Sequence, residues 1–309
     1  EDGTPWPRIS IITPSLNQAP YLERTIRSVL LQGYPALEYM VMDGGSTDRT
    51  IDIVKSYDKK ILAGIYPIKC NGVAFKWLSG KDAGMYDAIN KGFQMATGNI
   101  YAWINSDDFY LPEAFLKISF IFKNYPEVDW LKGKTALMNN PETGALTRQS
   151  CHLFKQEWIK RGIYGRYLNF INQDSVFWKK ELWQKIGSID NKLKLAGDYY
   201  LWVNMAKYAK LYSLNSEVSC YRRMEGSLGQ KSMEMYRKEQ EKIIPLKKTS
   251  LETKIKSFSW FRRKIGSIIP HSLVNLIYKS IFPKTDMVYF DLDESGQIVE
   301  KHSPAFEIK

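Results

Sequence analysis

Two hydrophobic rhythms alternate over the first hundred residues. Residues 9–13, Ile-Ser-Ile-Ile-Thr, form a short β-branched run. Residues 20–32 then carry apolar side chains at Tyr21, Leu22, Ile26, Val29 and Leu30, the three-and-four spacing of one helix face. The pair repeats as a strand over 37–42 stopped by Asp43-Gly44-Gly45 and a helix over 47–57 capped by Ser46 or Thr47. It repeats again as a strand over 75–78, a helix over 83–97 ending at Gly98, and a strand over 100–104. Strands separated by helices predict an α/β fold, a doubly wound and mostly parallel sheet with helices on both faces.

The rhythm is more mixed beyond that point. Residues 128–139 and 145–150 read as strands about a Pro141-Glu142-Thr143-Gly144 turn. A strand is expected over 175–178, helices over 181–186 and 198–208, and a last strand over 218–222. Within 246–284, Leu251, Ile255, Phe258, Phe261, Ile265 and Ile268 recur at three or four residues, with Lys254, Lys256, Arg262, Arg263 and Lys264 around the helix. That is a basic amphipathic helix. Residues 287–301 read as a hairpin around Glu294-Ser295-Gly296. The expected organisation is an α/β domain over 1–232 and a basic helical extension over 233–309.

With 44% apolar and 14% aromatic residues, the 309-residue chain can bury a sizeable core. The net charge of +11 is concentrated. Residues 222–284 hold fifteen Lys/Arg against five Glu and no Asp, ten of the eleven net positive charges. Such a block points to an anionic membrane surface meeting residues 251–284, and not to nucleic acid. The helix would either lie among lipid headgroups or dock on the domain with its charges solvated. No run reaches the roughly 18–20 apolar residues of a spanning helix, and the first apolar run is too short for a secretory leader. Cys70, Cys151 and Cys220 are odd in number and widely spaced, as expected of free thiols in a reducing compartment. A cytoplasmic location, peripheral on the membrane, is expected.

Ligands of such sheets bind beyond the carboxyl ends of the strands. That rule selects 14–17, 43–48, 80–84 and 105–108, and three of the four segments are acidic. The adjacent carboxylates Asp107 and Asp108 suit a hard cation bound to phosphate oxygens, one that stabilises a departing diphosphate. A dinucleotide dehydrogenase is excluded because no G-x-G-x-x-G follows the first strand. Pro14-Ser15-Leu16-Asn17 is also not the glycine-rich, arginine-containing triphosphate loop of a nucleotidyltransferase.

The ordered set of segments resembles the family 2 glycosyltransferases of GT-A fold. Ile11 to Asn17 and Val41 to Asp48 are similar to that family's opening, and Asp82-Ala83-Gly84-Met85-Tyr86-Asp87 to its next block. Asn105-Ser106-Asp107 falls at its D-x-D position, and Gln173 to Trp178 and Ala196 to Trp202 resemble its acceptor-side blocks. The resemblance runs from about Arg8 to about Ser232. It implies an inverting transfer from a nucleotide-diphospho-sugar donor, most simply a UDP-sugar, to a hydroxyl of a glycan or lipid-linked acceptor. It places Pro14, Ser15, Leu16, Asp43 and Asp82 around the nucleobase, Asn105 and Ser106 along the ribose and diphosphate, and Mn2+ or Mg2+ on Asp107. Asp198 would be the general base, unless it serves as a helix cap. Asp108, Gln173, Arg222, Arg223 and Lys231 are secondary candidates. Three departures stand out: Asn105 replaces the first Asp of D-x-D, Met224 stands where a His is frequent, and 63–76 looks inserted, as a flap near the donor or a surface loop. A non-catalytic sugar-binding module on the same fold is the alternative, against which the retained Asp43, Asp107 and Asp198 argue.

Overall fold

The structure is a computed structural model that describes residues 5–68, 70–139, 143–223, 232–247, 249–265, 269–282, 287–305 and 307–308. The strands are β1 (Ile9–Ser15), β2 (Leu37–Asp43), β3 (Val73–Ser79), β4 (Ile100–Trp103), β5 (Phe109–Tyr110), β6 (Trp130–Met138), β7 (Leu146–Thr147), β8 (Cys151–His152), β9 (Val176–Lys179), β10 (Leu211–Arg222), β11 (Met287–Leu292), β12 (Ile298–Ser303) and β13 (Glu307–Ile308). The helices are α1 (Ala19–Leu30), α2 (Thr50–Leu62), α3 (Met85–Met95), α4 (Ala114–Asn124), α5 (Gln156–Lys160), α6 (Lys180–Ile186), α7 (Gly197–Met205), α8 (Met233–Ile243), α9 (Ser250–Ile265) and α10 (His271–Ile281). A single 3-10 turn, Gln173–Ser175, precedes β9.

The main sheet runs β12-β11-β10-β6-β9-β4-β1-β2-β3, with β5 beside β10 and β7 beside β6. β4, β1, β2 and β3 are mutually parallel. β9 is antiparallel to both β4 and β6. β1, β2 and β4 are buried along their whole length, so both faces are covered. Alternate residues divide between the faces. Ile12, Met40, Met42, Tyr101 and Trp103 meet α3, α6 and α7, while Ile11, Tyr39, Val41 and Ala102 meet α1, α2 and α4.

Several expected boundaries move. α2 begins at Thr50 rather than 47 because the Ser46 hydroxyl is already bonded to Asp43, leaving Asp48 to accept the Thr50 N–H at 2.9 Å. Of the expected insertion, 73–76 belongs to β3. The rest returns at the amino edge of the sheet, where Leu37 N–H donates to the Gly72 carbonyl. With seven-residue strands that edge is about 20 Å from the carboxyl ends, so the segment is no donor flap. The expected 140–142 part of the second-half turn lies outside the described residues.

The stripe of the basic helix faces the core. Ile255 and Phe258 of α9 join Val274, Tyr278 and Phe282 in the cluster that holds Trp158 and Trp202. Burial of one such side chain contributes about 1.5–3 kcal/mol, so of the two expected arrangements these residues take the one docked on protein. Ile268 is outside the described residues. The ammonium of Lys155 sits 4.3 Å from the Trp158 ring centre and 5.3 Å from that of Tyr278, which ties α10 to α5. No helix among the described residues is long and apolar enough to cross a membrane.

Candidate functional site

Parallel register brings the first three strand ends to one level. Ser15 pairs with Asp43, and Asp43 with Ser79. The loops then lace together: Gly44 N–H donates to Ser15 O at 2.9 Å, Gly80 N–H to Asp43 O at 3.0 Å, and Asn17 N–H to Ser46 Oγ at 2.7 Å. Asn17 takes a φ of 54°, a conformation Asn tolerates, and its Oδ1 accepts the Thr47 N–H. Asp43 is only 4% exposed. Its Oδ2 accepts from Gly45 N–H, Ser46 N–H and Ser79 Oγ at 3.0, 3.0 and 2.7 Å, and its Oδ1 from the Ser46 hydroxyl. Across Gly44 lies Asp82. A Cβ on Gly44 would stand 2.8 Å from Asp82 Oδ2, so the missing side chain lets that carboxylate approach. Asp82 Oδ1 accepts the Gly84 N–H at 2.9 Å. Pro14 and Ser15 are buried below, the Ser15 hydroxyl with no partner among the described residues, while Leu16 is exposed at the rim. A slot with acidic oxygens at one end and an apolar rim suits a flat ring bearing N–H groups.

β4 delivers the next loop. Thr25 of α1 donates its hydroxyl to the carbonyls of Ser106 and Asp108, at 2.9 and 2.6 Å, and fixes the turn. The two carboxylates then part. Asp108 is 1% exposed, and its Oδ1 accepts the Arg222 N–H at 2.9 Å. Asp107 stays partly open beside the Arg222 charge. Burial pushes its pKa above the usual carboxylate range, and Arg222 pulls it back. Burial, then the charges of Asp107 and Asp174, push Asp108 well up. The buried Asn105 Oδ1, Asp108 Oδ2 and Arg222 Nε have no hydrogen-bond partner among the described residues. Orphaned polar atoms at a strand end mark a place for ligand or water. The Arg222 guanidinium lies 4.9 Å over the Tyr21 ring. Arg223 is exposed and tied by its N–H to Met138 O. Gln173 Nε2 donates to Trp103 O at 2.8 Å, which places the 3-10 turn against the end of β4. Lys231 and Met224 lie outside the described residues.

Asp198 stands on α7, which packs against the end of β4. It is the second residue of α7, one turn before Trp202 on the same helix face. Trp202 stacks on Trp103, the last residue of β4, at 5.8 Å and 8°. The helix start is pinned to α3, where Tyr86 Oη donates to Leu195 O at 2.7 Å and Lys194 Nζ to Ala83 O at 3.2 Å. The cap position belongs to Ala196, so Asp198 does not act as the cap. Burial raises the Asp198 carboxyl to about 6. Its Oδ1 accepts from Tyr199 N–H and from the phenol of Tyr236, at 2.7 and 3.2 Å, and no hydrogen bond reaches its Oδ2 among the described residues.

Thr25, Tyr236 and Glu239 complete this site without a sequence signal that singles them out. Thr25 falls on the buried stripe of α1 and reads as core. Tyr236 and Glu239 sit three apart on a polar helix, a spacing that shows a shared face and not its partner 38 to 45 residues upstream.

The oxygens gathered here, from Asp107, Asn105 and Asp108, are of the hard type that magnesium and manganese select. Among the described residues no group of three or more His, Cys, Asp or Glu forms a ready cage. One open carboxylate fits a cation whose remaining ligands are phosphate and water.

Comparison with known proteins agrees with this geometry. Residues 10–148 match the family model for glycosyl transferase family 2. An uncharacterized glycosyltransferase of Rickettsia typhi is 26% identical over 223 residues, 69% of this chain and 63% of that protein. The chain thus spans about three fifths of that relative's length. Among solved structures, Staphylococcus aureus TarS 1–349 in complex with UDP-GlcNAc superposes with a TM-score of 0.56 at 16% identity, over 89% of this chain and 82% of that one. The mannosyltransferase PcManGT of Pyrobaculum calidifontis, in complex with GDP-Man and Mn2+, gives 0.55 at 16% identity, over 90% and 83%. Residues 10–148 thus carry a glycosyl transferase family 2 domain, and the fold around them is that of the GT-A glycosyltransferases.

Proposed function

We propose that the chain is an inverting glycosyltransferase that moves a sugar from a nucleotide diphosphate donor, by preference a UDP-sugar, to a hydroxyl of a glycan or lipid-linked acceptor. The observation that carries this reading is that Asp43, Asp82 and Asp107 stand on strand-end loops, while α7, which carries Asp198 with its Oδ2 open, is fastened to the end of β4 by the Trp103–Trp202 stack and to α3 by Tyr86. Complexes of the structural neighbours with UDP-GlcNAc and GDP-Man support a nucleotide-sugar donor. Asp43 and Asp82 accept from the base, Ser15 and Leu16 line it, and Asn105 and Ser106 lie along the ribose and diphosphate. Asp107 would hold Mn2+ or Mg2+, which when bound draws negative charge from the leaving diphosphate. Arg222 and Arg223 add positive charge beside it, as would Lys231.

Asp198 takes the proton of the acceptor hydroxyl as its oxygen bonds to the anomeric carbon. The bond to the diphosphate oxygen breaks on the opposite face, so a single displacement inverts the centre. A carboxylate held near pH 6 is free to accept a proton at neutral pH. The test is hydrolysis of a panel of UDP- and GDP-sugars with manganese, using water as acceptor. Donor binding without turnover for every sugar would leave a binding module instead.

Residues 1–232 would carry the transfer chemistry, with 233–309 attaching it to a membrane at the cytoplasmic face. The outward surfaces of the last two helices support this. Trp260 of α9 is 58% exposed between Lys256 and Lys264, and Leu276 of α10 is 62% exposed near Lys279. An aromatic and leucine fringe among lysines suits anionic headgroups. Co-sedimentation with anionic but not neutral vesicles, weakened by salt, is expected. Equal pelleting with both, or with neither, would remove the membrane from this reading.

A further inference from the structure

Helix α8 lies past residue 232, in the basic extension, yet its inner face meets the segment that carries Asp198. Glu239 is 7% exposed and accepts three successive backbone N–H groups: Lys194 on Oε1 at 2.8 Å, Leu195 on Oε2 at 3.0 Å and Ala196 on Oε2 at 2.8 Å. They are the N–H groups of the segment leading into α7 and of its cap residue Ala196, and α7 has no side-chain cap of its own. One helical turn earlier, Tyr236 gives its phenol to Asp198 Oδ1 at 3.2 Å. The far end of α8 is fastened as well, since Arg166 donates Nη2 to the carbonyls of Gln240 and Ile244. Tyr199, Val203 and Ala196 of α7 close an apolar contact with Tyr236, Ile243 and Ile244. A helix held at both ends thus presses a capping carboxylate and a phenol onto the start of another.

We propose that α8 is a positioning device for the base of the transfer reaction: Glu239 sets the backbone that aims Asp198, and Tyr236 anchors Oδ1 so that Oδ2 is presented to the acceptor hydroxyl. This inference rests on Asp198 being that base. Tyr236 does more than orient. A donor to a carboxylate favours its charged form, so the phenol opposes the burial that raises Asp198 to about 6. The other titratable groups that act on Asp198 are Tyr86 from α3 and Glu239 from α8, while the phenol of its helix neighbour Tyr199 donates away from it to the Gly162 carbonyl. The Glu239 charge pushes Asp198 up, and Tyr86 and Tyr199 are held in the phenol form by burial. Among these groups, Tyr236 is therefore the side chain that favours the carboxylate.

The experiment is a carbon-13 titration of the full chain labelled at aspartate Cγ, with the Asp198 resonance assigned by its loss in Asp198→Asn. Tyr236→Phe removes one oxygen and keeps the ring, so it should fold. Its Asp198 resonance should titrate at higher pH than wild type, and the acidic limb of kcat for hydrolysis of the fastest UDP- or GDP-sugar should move up with it. At neutral pH kcat should fall about tenfold, with the donor KM within twofold. Glu239→Gln keeps an oxygen but loses the second acceptor. It should lower kcat severalfold, with the Asp198 titration moving in the opposite direction. Unchanged titration and pH limb in Tyr236→Phe would overturn the proposal. If Asp198→Asn retained full activity, the base assignment itself would fall, whatever the titration showed.

Discussion

Asp43 at the end of β2 and Asp198 at the start of α7 are two carboxylates held in contrasting ways. Asp43 is gripped by near neighbours in sequence and by the adjoining strand, through two backbone N–H groups and two hydroxyls. Its position follows as soon as β2 and β3 are paired. Asp198 has one neighbouring N–H and a phenol supplied 38 residues later, in surroundings dry enough to raise it to about 6. Four donors fix the direction of Asp43 and leave lone-pair room on Oδ1, which suits the holding of a ligand. A carboxylate that is desolvated and half free can take up a proton and release it. The same side chain is tuned for two tasks by its surroundings, as expected where a site separates binding from proton transfer.

The comparison predicts that damage on the donor side and damage at Asp198 will appear in different kinetic constants. The largest effect is expected at Asp107, which in the proposed reaction would hold the cation that stabilises the leaving group. Asp107→Ala should cut manganese-dependent turnover by on the order of 10³-fold, the upper end for removal of one electrostatic stabiliser, with the fold intact by circular dichroism. Full turnover in that variant, or in wild type with excess EDTA, would remove the metal from the mechanism.

Asp198→Asn comes next. kcat should drop by at least ~10²-fold while the donor KM stays within about twofold. In wild type the sign of the pH effect is fixed by the raised carboxyl: activity is present above about 6 and falls as pH drops through it, because the protonated acid cannot accept the hydroxyl proton. A pH–kcat profile flat between 5 and 7 would contradict this. Equal losses of donor binding and turnover in Asp198→Asn would make the residue structural.

Asp43→Ala should show the reverse split, a donor KM raised about tenfold, or 1.4 kcal/mol, with a smaller change in kcat. It should also cost about 1–3 kcal/mol of stability, since the N–H groups of Gly45 and Ser46 lose their acceptor. Denaturant melts check the second part. The mildest change is Gly44→Ala. Its Cβ would stand 2.8 Å from Asp82 Oδ2 and displace that carboxylate, so the donor KM should rise a few-fold with kcat unaltered. If kcat fell and KM did not, Asp82 would belong to the proton-transfer side of the comparison.

The donor rim was legible because parallel strands buried on both faces are continuous apolar runs, and acidic residues that follow such runs stand out. β1, β2 and β4 are of this kind. β3 was half hidden. The expected strand 75–78 took in Lys76, which pairs with Glu38 on β2 at 2.8 Å, but Val73 and Ala74 were read as part of the insertion. The first half of β10 was hidden as well. Ser213, Asn215 and Glu217 look like a turn, but they bond to His152 O, Asp291 and Lys134 on neighbouring elements. Asp198 itself was readable, through its place before an apolar helix and the family resemblance. Its supports on α8 were not, because Glu239 caps a helix far away in sequence and leaves no local pattern. The membrane stripe shows the same limit. Periodicity located the apolar face of α9 and was silent on whether protein or lipid covers it.

The last hairpin has a practical consequence for anyone making shorter versions of this protein. β11 lies beside β10 at Ser213↔Tyr289 and Leu214↔Phe290, and Phe290 is buried against Tyr125 and Tyr212. Cutting at residue 232 would strip that cover from β10 and uncover the rings around Trp158. An open strand edge beside fresh aromatic surface invites strand-to-strand association. Such a fragment should elute as soluble aggregate in size exclusion where the full chain gives a discrete peak, so recombinant work should retain the tail through β12.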